Sequence, residues 1–73
     1  MLHADTDTLV FDEFASAVHR AQAEFMEMPG LLLTEAQAAR LWAFDERLCH
    51  AVLAHLVNVR FLVRTKAAAF ARA

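Results

Sequence analysis

The chain has 73 residues and a mass of 8.2 kDa, enough for one small domain and too little for a multidomain enzyme. Apolar residues reach 59 %, but sixteen are Ala, and one Gly with one Pro leaves little turn chemistry for an all-β fold, so composition points to a small helix-rich domain. The net charge of -2 conceals a division: residues 1–36 carry seven acids against Arg20 alone, residues 37–73 carry six bases against Asp45 and Glu46, and no acid follows Glu46. Such asymmetry marks either a surface for an anionic partner such as DNA or two faces that attract each other between subunits.

The N-terminus has an early acid, Asp5, and no apolar run of signal-peptide length, while the single Cys49 has no partner for an intrachain disulfide. A cytoplasmic protein without membrane attachment is the expectation. Residues 1–8 are expected to be disordered, with Thr8 as the N-cap of a first helix over residues 9–28. Phe11, Phe14, Val18, Ala21, Phe25 and Met28 recur every three or four residues and line one face of that helix. The stripe suits either the core or a seam with a second copy, so Phe11, Phe14, Val18 and Phe25 are candidate homodimer contacts. Pro29-Gly30 stops the helix.

Leu31-Leu32-Leu33 reads as a brief buried strand, and Thr34-Glu35-Ala36-Gln37 as a capping box that starts a second, two-turn helix at Glu35. Its apolar positions are Ala36, Ala39 and the pair Leu41/Trp42. Asp45 is a fresh N-cap for a third helix over residues 46–57, with Leu48, Cys49, Val52, Leu53 and Leu56 inward and Arg47, His50, Ala51, Ala54 and Asn58 outward. Val59 to Arg64 is β-branched and aromatic, a strand signal. Ala69 to Arg72 is its returning partner, although Lys66-Ala67-Ala68-Ala69 is equally good helix sequence.

Helix, short strand, capped short helix, turn, longer helix and hairpin together resemble the winged helix-turn-helix domains of bacterial transcription regulators, from about Leu31 to Arg72. The run that carries the resemblance is LTEAQAARLWAFDERLCHAVLAHLVNVRFLVRT, with Ala39 at the position where the two helices cross, Cys49 as the hydrophobe of the second helix and Leu56-Val57 before the wing. Preceded by MPGLLLT, the same run also resembles short bacterial proteins of unassigned role. The implied fold is a mainly α, three-helix winged helix-turn-helix with a short strand and a weak C-terminal β-hairpin, forming a single domain over residues 1–73.

The chain departs from the family pattern where glycines are usual: Ala43 in the interhelical turn, Arg60 before the first wing strand and Ala67-Ala68 at the wing tip. A left-handed Ala43 would cost roughly 1 kcal/mol. The missing glycines make a shortened or absent hairpin, or a frayed terminal helix, the expectation after Thr65.

The resemblance implies a DNA-binding regulator in which Arg47 and His50 approach base edges of double-stranded DNA while Arg40, Arg64 and Lys66 meet phosphates. Arg72 belongs with the phosphate contacts. The alternative is a protein-interaction or dimerisation module on the same frame with a protein partner. His50 and His55 are five apart rather than four, no Cys-x-x-Cys accompanies them, and Cys49 faces inward, so neither a metal site nor a nucleophile is expected. No phosphate loop or paired-acid site is visible, which gives no enzyme and no cofactor.

Overall fold

A computed structural model describes the backbone from Leu2 to Ala73 and the side chains from Glu13 onward. Three helices, α1 (Leu2–Glu27), α2 (Glu35–Trp42) and α3 (Glu46–Asn58), are interleaved with three short strands, β1 (Leu33–Thr34), β2 (Leu62–Arg64) and β3 (Ala69–Arg72). The strands form one antiparallel sheet in the order β1-β3-β2, registered by Leu33↔Phe70 on one side of β3 and Val63↔Ala71 on the other.

α1 begins seven residues earlier than its sequence predicts. Thr8 lies inside the helix instead of capping it, and residues 2–8 are helical, contrary to the expected disorder. Nothing between Leu2 and Glu27 breaks a helix, and acids at positions 5 and 7 suit the positive end of its dipole. At the other end the Met28 N–H still donates to Glu24 O at 3.0 Å, but the residue before a proline is driven out of helical geometry. Met28 therefore sits beyond the helix and is exposed, not part of the inward face.

Both later N-termini follow the sequence. The Thr34 hydroxyl accepts from the Gln37 N–H at 3.1 Å while the Gln37 side chain accepts from the Thr34 N–H at 2.9 Å, completing the capping box. The Asp45 carboxylate accepts from the Leu48 N–H at 2.7 Å. Because α2 starts at Glu35, its inward residues one turn apart are Ala38 and Trp42. Ala38 is fully buried, whereas Ala39, expected at the helix crossing, is half-buried against the core, and Ala36 and Leu41 are exposed.

The core gathers Ala17, Ala21 and Phe25 of α1, Ala38 and Trp42 of α2, Cys49, Val52, Leu53 and Leu56 of α3, and Leu33, Leu62 and Phe70 of the sheet. Trp42 is 1 % exposed, edge-on to Phe25 at 6.1 Å between centroids and tilted against Phe44 at 5.6 Å. Its Nε1 is the buried side-chain polar atom without a hydrogen-bond partner among the described residues.

Three non-glycine residues adopt left-handed backbone: Ala43 at φ 56°, Arg60 at φ 64° and Ala68 at φ 59°. All three stand where the sequence marks an expected glycine as missing, and each takes the left-handed conformation without it. Ala43 and Arg60 end α2 and α3 in the same way, for the next N–H reaches back five residues in both, from Phe44 to Ala39 O at 3.0 Å and from Phe61 to Leu56 O at 2.9 Å. Arg60 N–H adds a bond to Val57 O at 3.0 Å, which completes a Schellman motif. This reversal consumes Val59 to Phe61, so the strand predicted from Val59 is confined to Leu62–Arg64.

The hairpin forms despite its tip. Thr65 N–H donates to Ala69 O at 2.7 Å, Ala68 N–H to Thr65 O at 3.0 Å, and the Thr65 hydroxyl accepts from the Ala69 N–H at 3.2 Å. A tight loop closed by one left-handed residue is a standard hairpin solution. Residues 66–69 are therefore not a terminal helix. Phe70 and Ala69, both buried, anchor the returning strand.

Candidate nucleic-acid interface

The burial of Cys49, Val52, Leu53 and Leu56 turns the opposite side of α3 to solvent, where Arg47, His50, Ala51, Ala54 and Asn58 are all exposed. In the sheet, Arg64 lies opposite Phe70 and Leu62 opposite Arg72, which places Leu62, Arg64, Phe70 and Arg72 on one face. Leu62 and Phe70 are buried, so this face looks toward α3. A groove of about 260 Å³ results between helix and hairpin, bounded by Glu35, His50, Ala54, Asn58 and Arg64 over a floor that includes Phe70.

Two of the six sequence-predicted DNA contacts, His50 and Arg64, thus meet in one groove. The Arg64 guanidinium carbon lies 5.9 Å from the Phe70 ring centroid, an arrangement that steadies the cation over an apolar surface. Arg40 borders a neighbouring depression with Ala36, Ala39, Phe44 and Glu46, which shares Glu35 with the first. Arg47, one turn before His50 on α3, borders a separate shallow groove with Glu13, Phe14 and Asp45 and does not line the α3–wing groove. Lys66 is exposed at the hairpin tip, whereas Arg72 stacks over Phe61 at 4.4 Å toward the base of the hairpin.

Sequence reasoning missed Glu35. The Glu35 Oε1 lies 3.2 Å from His50 Nδ1, and the Glu35 backbone oxygen accepts from Cys49 Sγ at 3.6 Å. Both contacts span fourteen or fifteen residues and arise because the first turn of α2 rests on the second turn of α3; the capping box located Glu35 but not its neighbour. Burial, with a smaller contribution from the Glu35 charge, pushes the Cys49 thiol up from its ordinary 9.0 to about 11, which suits packing and not nucleophilic chemistry.

The expected dimer seam is partly claimed by the chain itself. Phe25 is fully buried in the core and is corrected from interface to core residue. Phe14 and Val18 are half-buried against the same core, with the Phe14 ring 5.7 Å from the His55 imidazole, edge-on. The Phe11 side chain lies outside the described residues. Among the described residues no three His, Cys, Asp or Glu side chains gather as a metal site, and no helix is long and apolar enough to cross a membrane. Comparison with family models, curated proteins and solved structures finds no match to this chain.

Proposed function

We propose that the chain is a DNA-binding domain of the winged helix-turn-helix kind, with α3 as the recognition helix and the β2–β3 hairpin as the wing. The element order and the sheet order β1-β3-β2 support this reading. The observation that carries the reading is the solvent face of α3: past Glu46 it holds Arg47, His50, Ala51, Ala54 and Asn58, with no acid, and Arg64 reaches the same groove from β2. Small residues at 51 and 54 let the helix backbone come close to base edges, and the cations supply the attraction to phosphate. Arg47 and His50 then read bases, while Arg40, Arg64 and Lys66 set register on the backbone. Two copies paired through α1, now by way of Phe14 and Val18, would present α3 to half-sites about one helical turn apart.

The test is affinity for duplex DNA as a function of salt, each neutralised phosphate contributing about -0.9 to the logarithmic slope. Tight binding at low salt that falls with such a slope supports the reading. A second reading, a protein-interaction module, is favoured by Glu35, whose carboxylate stands in the groove and repels phosphate. Absence of duplex binding at low salt selects it.

A further inference from the structure

Glu35 is the acid that borders the α3–wing groove, and its effect on His50 is chemical as well as electrostatic. An ionised carboxylate has acceptor oxygens and no proton to give. At 3.2 Å from Glu35 Oε1, His50 Nδ1 must therefore be the donor. In a neutral imidazole with its proton on Nδ1, Nε2 is a bare acceptor. The His50 side chain is 72 % exposed, so that acceptor is open to whatever occupies the groove, and the other polar side chains bordering it are Asn58 on α3 and Arg64 on β2.

Resting on the DNA reading above, we infer that Glu35 is a positioning residue that fixes His50 in the Nδ1–H tautomer and so selects base edges that carry an exocyclic amine. In the major groove those are adenine, through N6, and cytosine, through N4; guanine O6 and N7 and thymine O4 offer acceptors, which meet the Nε2 lone pair unfavourably. Glu35 acts without touching DNA. Glu35 opens α2 directly after Thr34, and the Thr34–Gln37 capping box does not use the Glu35 side chain, which leaves its carboxylate to His50.

Two measurements decide the matter. Imidazole 15N shifts of the free protein at about pH 8.5, above the reference range of histidine, give the tautomer directly. The wild-type His50 is expected as Nδ1–H, and Glu35→Ala is expected to lose that bias; an Nε2–H or mixed tautomer in the wild type overturns the inference whatever DNA does. Duplex pools randomised at single positions are then bound to wild type, Glu35→Ala, His50→Ala and the double variant. The wild type is expected to favour adenine or cytosine by about fivefold to tenfold at one position. Either single variant loses that preference, and Glu35→Ala adds nothing in the His50→Ala background. Independent effects of the two substitutions, or a guanine preference, overturn the assignment. If no duplex binds at low salt while the Nδ1–H tautomer is found, the DNA reading has failed and the base-selecting role falls with it.

Discussion

Thr34 and Asp45 open α2 and α3 with side-chain oxygens that accept backbone N–H groups three residues on, whereas Ala43 and Arg60 close the same helices in a left-handed conformation that neither side chain favours. The starts are satisfied locally, by residues whose type suits the task. The ends are imposed from outside. An aromatic ring packed on the core comes directly after each reversal, Phe44 after Ala43 and Phe61 after Arg60, and the buried Leu62 comes next after Phe61. Burial worth several kcal/mol outweighs a backbone cost of roughly 1 kcal/mol at each left-handed residue, which is how the chain dispenses with glycine at its reversals.

If packing imposes the ends, removing the packed residue beyond one of them must have the largest effect. Leu62→Ala should cost about 2–5 kcal/mol by urea unfolding. A loss below about 1 kcal/mol would mean that the Arg60 reversal stands without Leu62, since full burial of a leucine is worth more than that. The local starts are tested next: Asp45→Ala and Thr34→Ala should each cost about 1 kcal/mol, with the loss seen as earlier thermal melting. Smaller, and opposite in sign, is the gain from relieving the ends. Ala43→Gly, Arg60→Gly and Ala68→Gly should each stabilise the fold by about 0.5–1 kcal/mol, because glycine reaches positive φ without the Cβ clash and returns part of that gain through a more flexible unfolded chain. A glycine variant less stable than its parent would show that the side chain, not the backbone, matters at that reversal.

A pH-dependent effect sharpens the account of the α3 start, where the Cys49 N–H donates to Asp45 O at 2.9 Å and its thiol to Glu35 O. The thiol's folded pKa, raised to about 11, lies above its ordinary value of 9.0. Between those values the unfolded chain has lost a proton that the folded state keeps, so this contribution to stability is complete below pH 9 and is lost as the pH rises through about 11. Urea midpoints compared at pH 8.5 and pH 10.5 should fall more for the wild type than for Cys49→Ala, at roughly the scale set by one titrating group. Alkylation of the native thiol at pH 8 should be slow until the protein unfolds.

The same contrast separates the legible parts of the sequence from the illegible ones. Caps and inward faces depend on neighbours within four residues, so Thr34, Asp45 and the Cys49–Val52–Leu53–Leu56 face can be read from the sequence alone. Met28, Ala39 and the Val59–Phe61 segment cannot, because a proline restriction, the burial of Ala38 one turn before Trp42 and a helix-ending reversal each override a pattern that is correct on its own terms. The absence of glycine argues against the hairpin; Thr65 supplies two bonds at its neck, and Phe70 an anchor, that no turn rule announces. In the candidate site, the cations can be counted from the sequence but not sorted. Only the crossing of α2 on α3 brings Glu35 beside His50 at the groove.

Trp42 gives this small fold an optical gauge of its own. The sequence has a single tryptophan, and here the indole is enclosed between Phe25 and Phe44, with no partner for its N–H among the described residues. An indole kept from water and from hydrogen-bond acceptors emits toward the blue, and wetting moves the emission to the red. As the last residue of α2, packed on Phe25 of α1 and next to Ala43, it reports on the contact between those two helices. Fluorescence follows the Phe25–Trp42–Phe44 packing and hydrogen exchange follows the amides of β3, so the two on the same unlabelled protein can establish in which order helices and hairpin come apart.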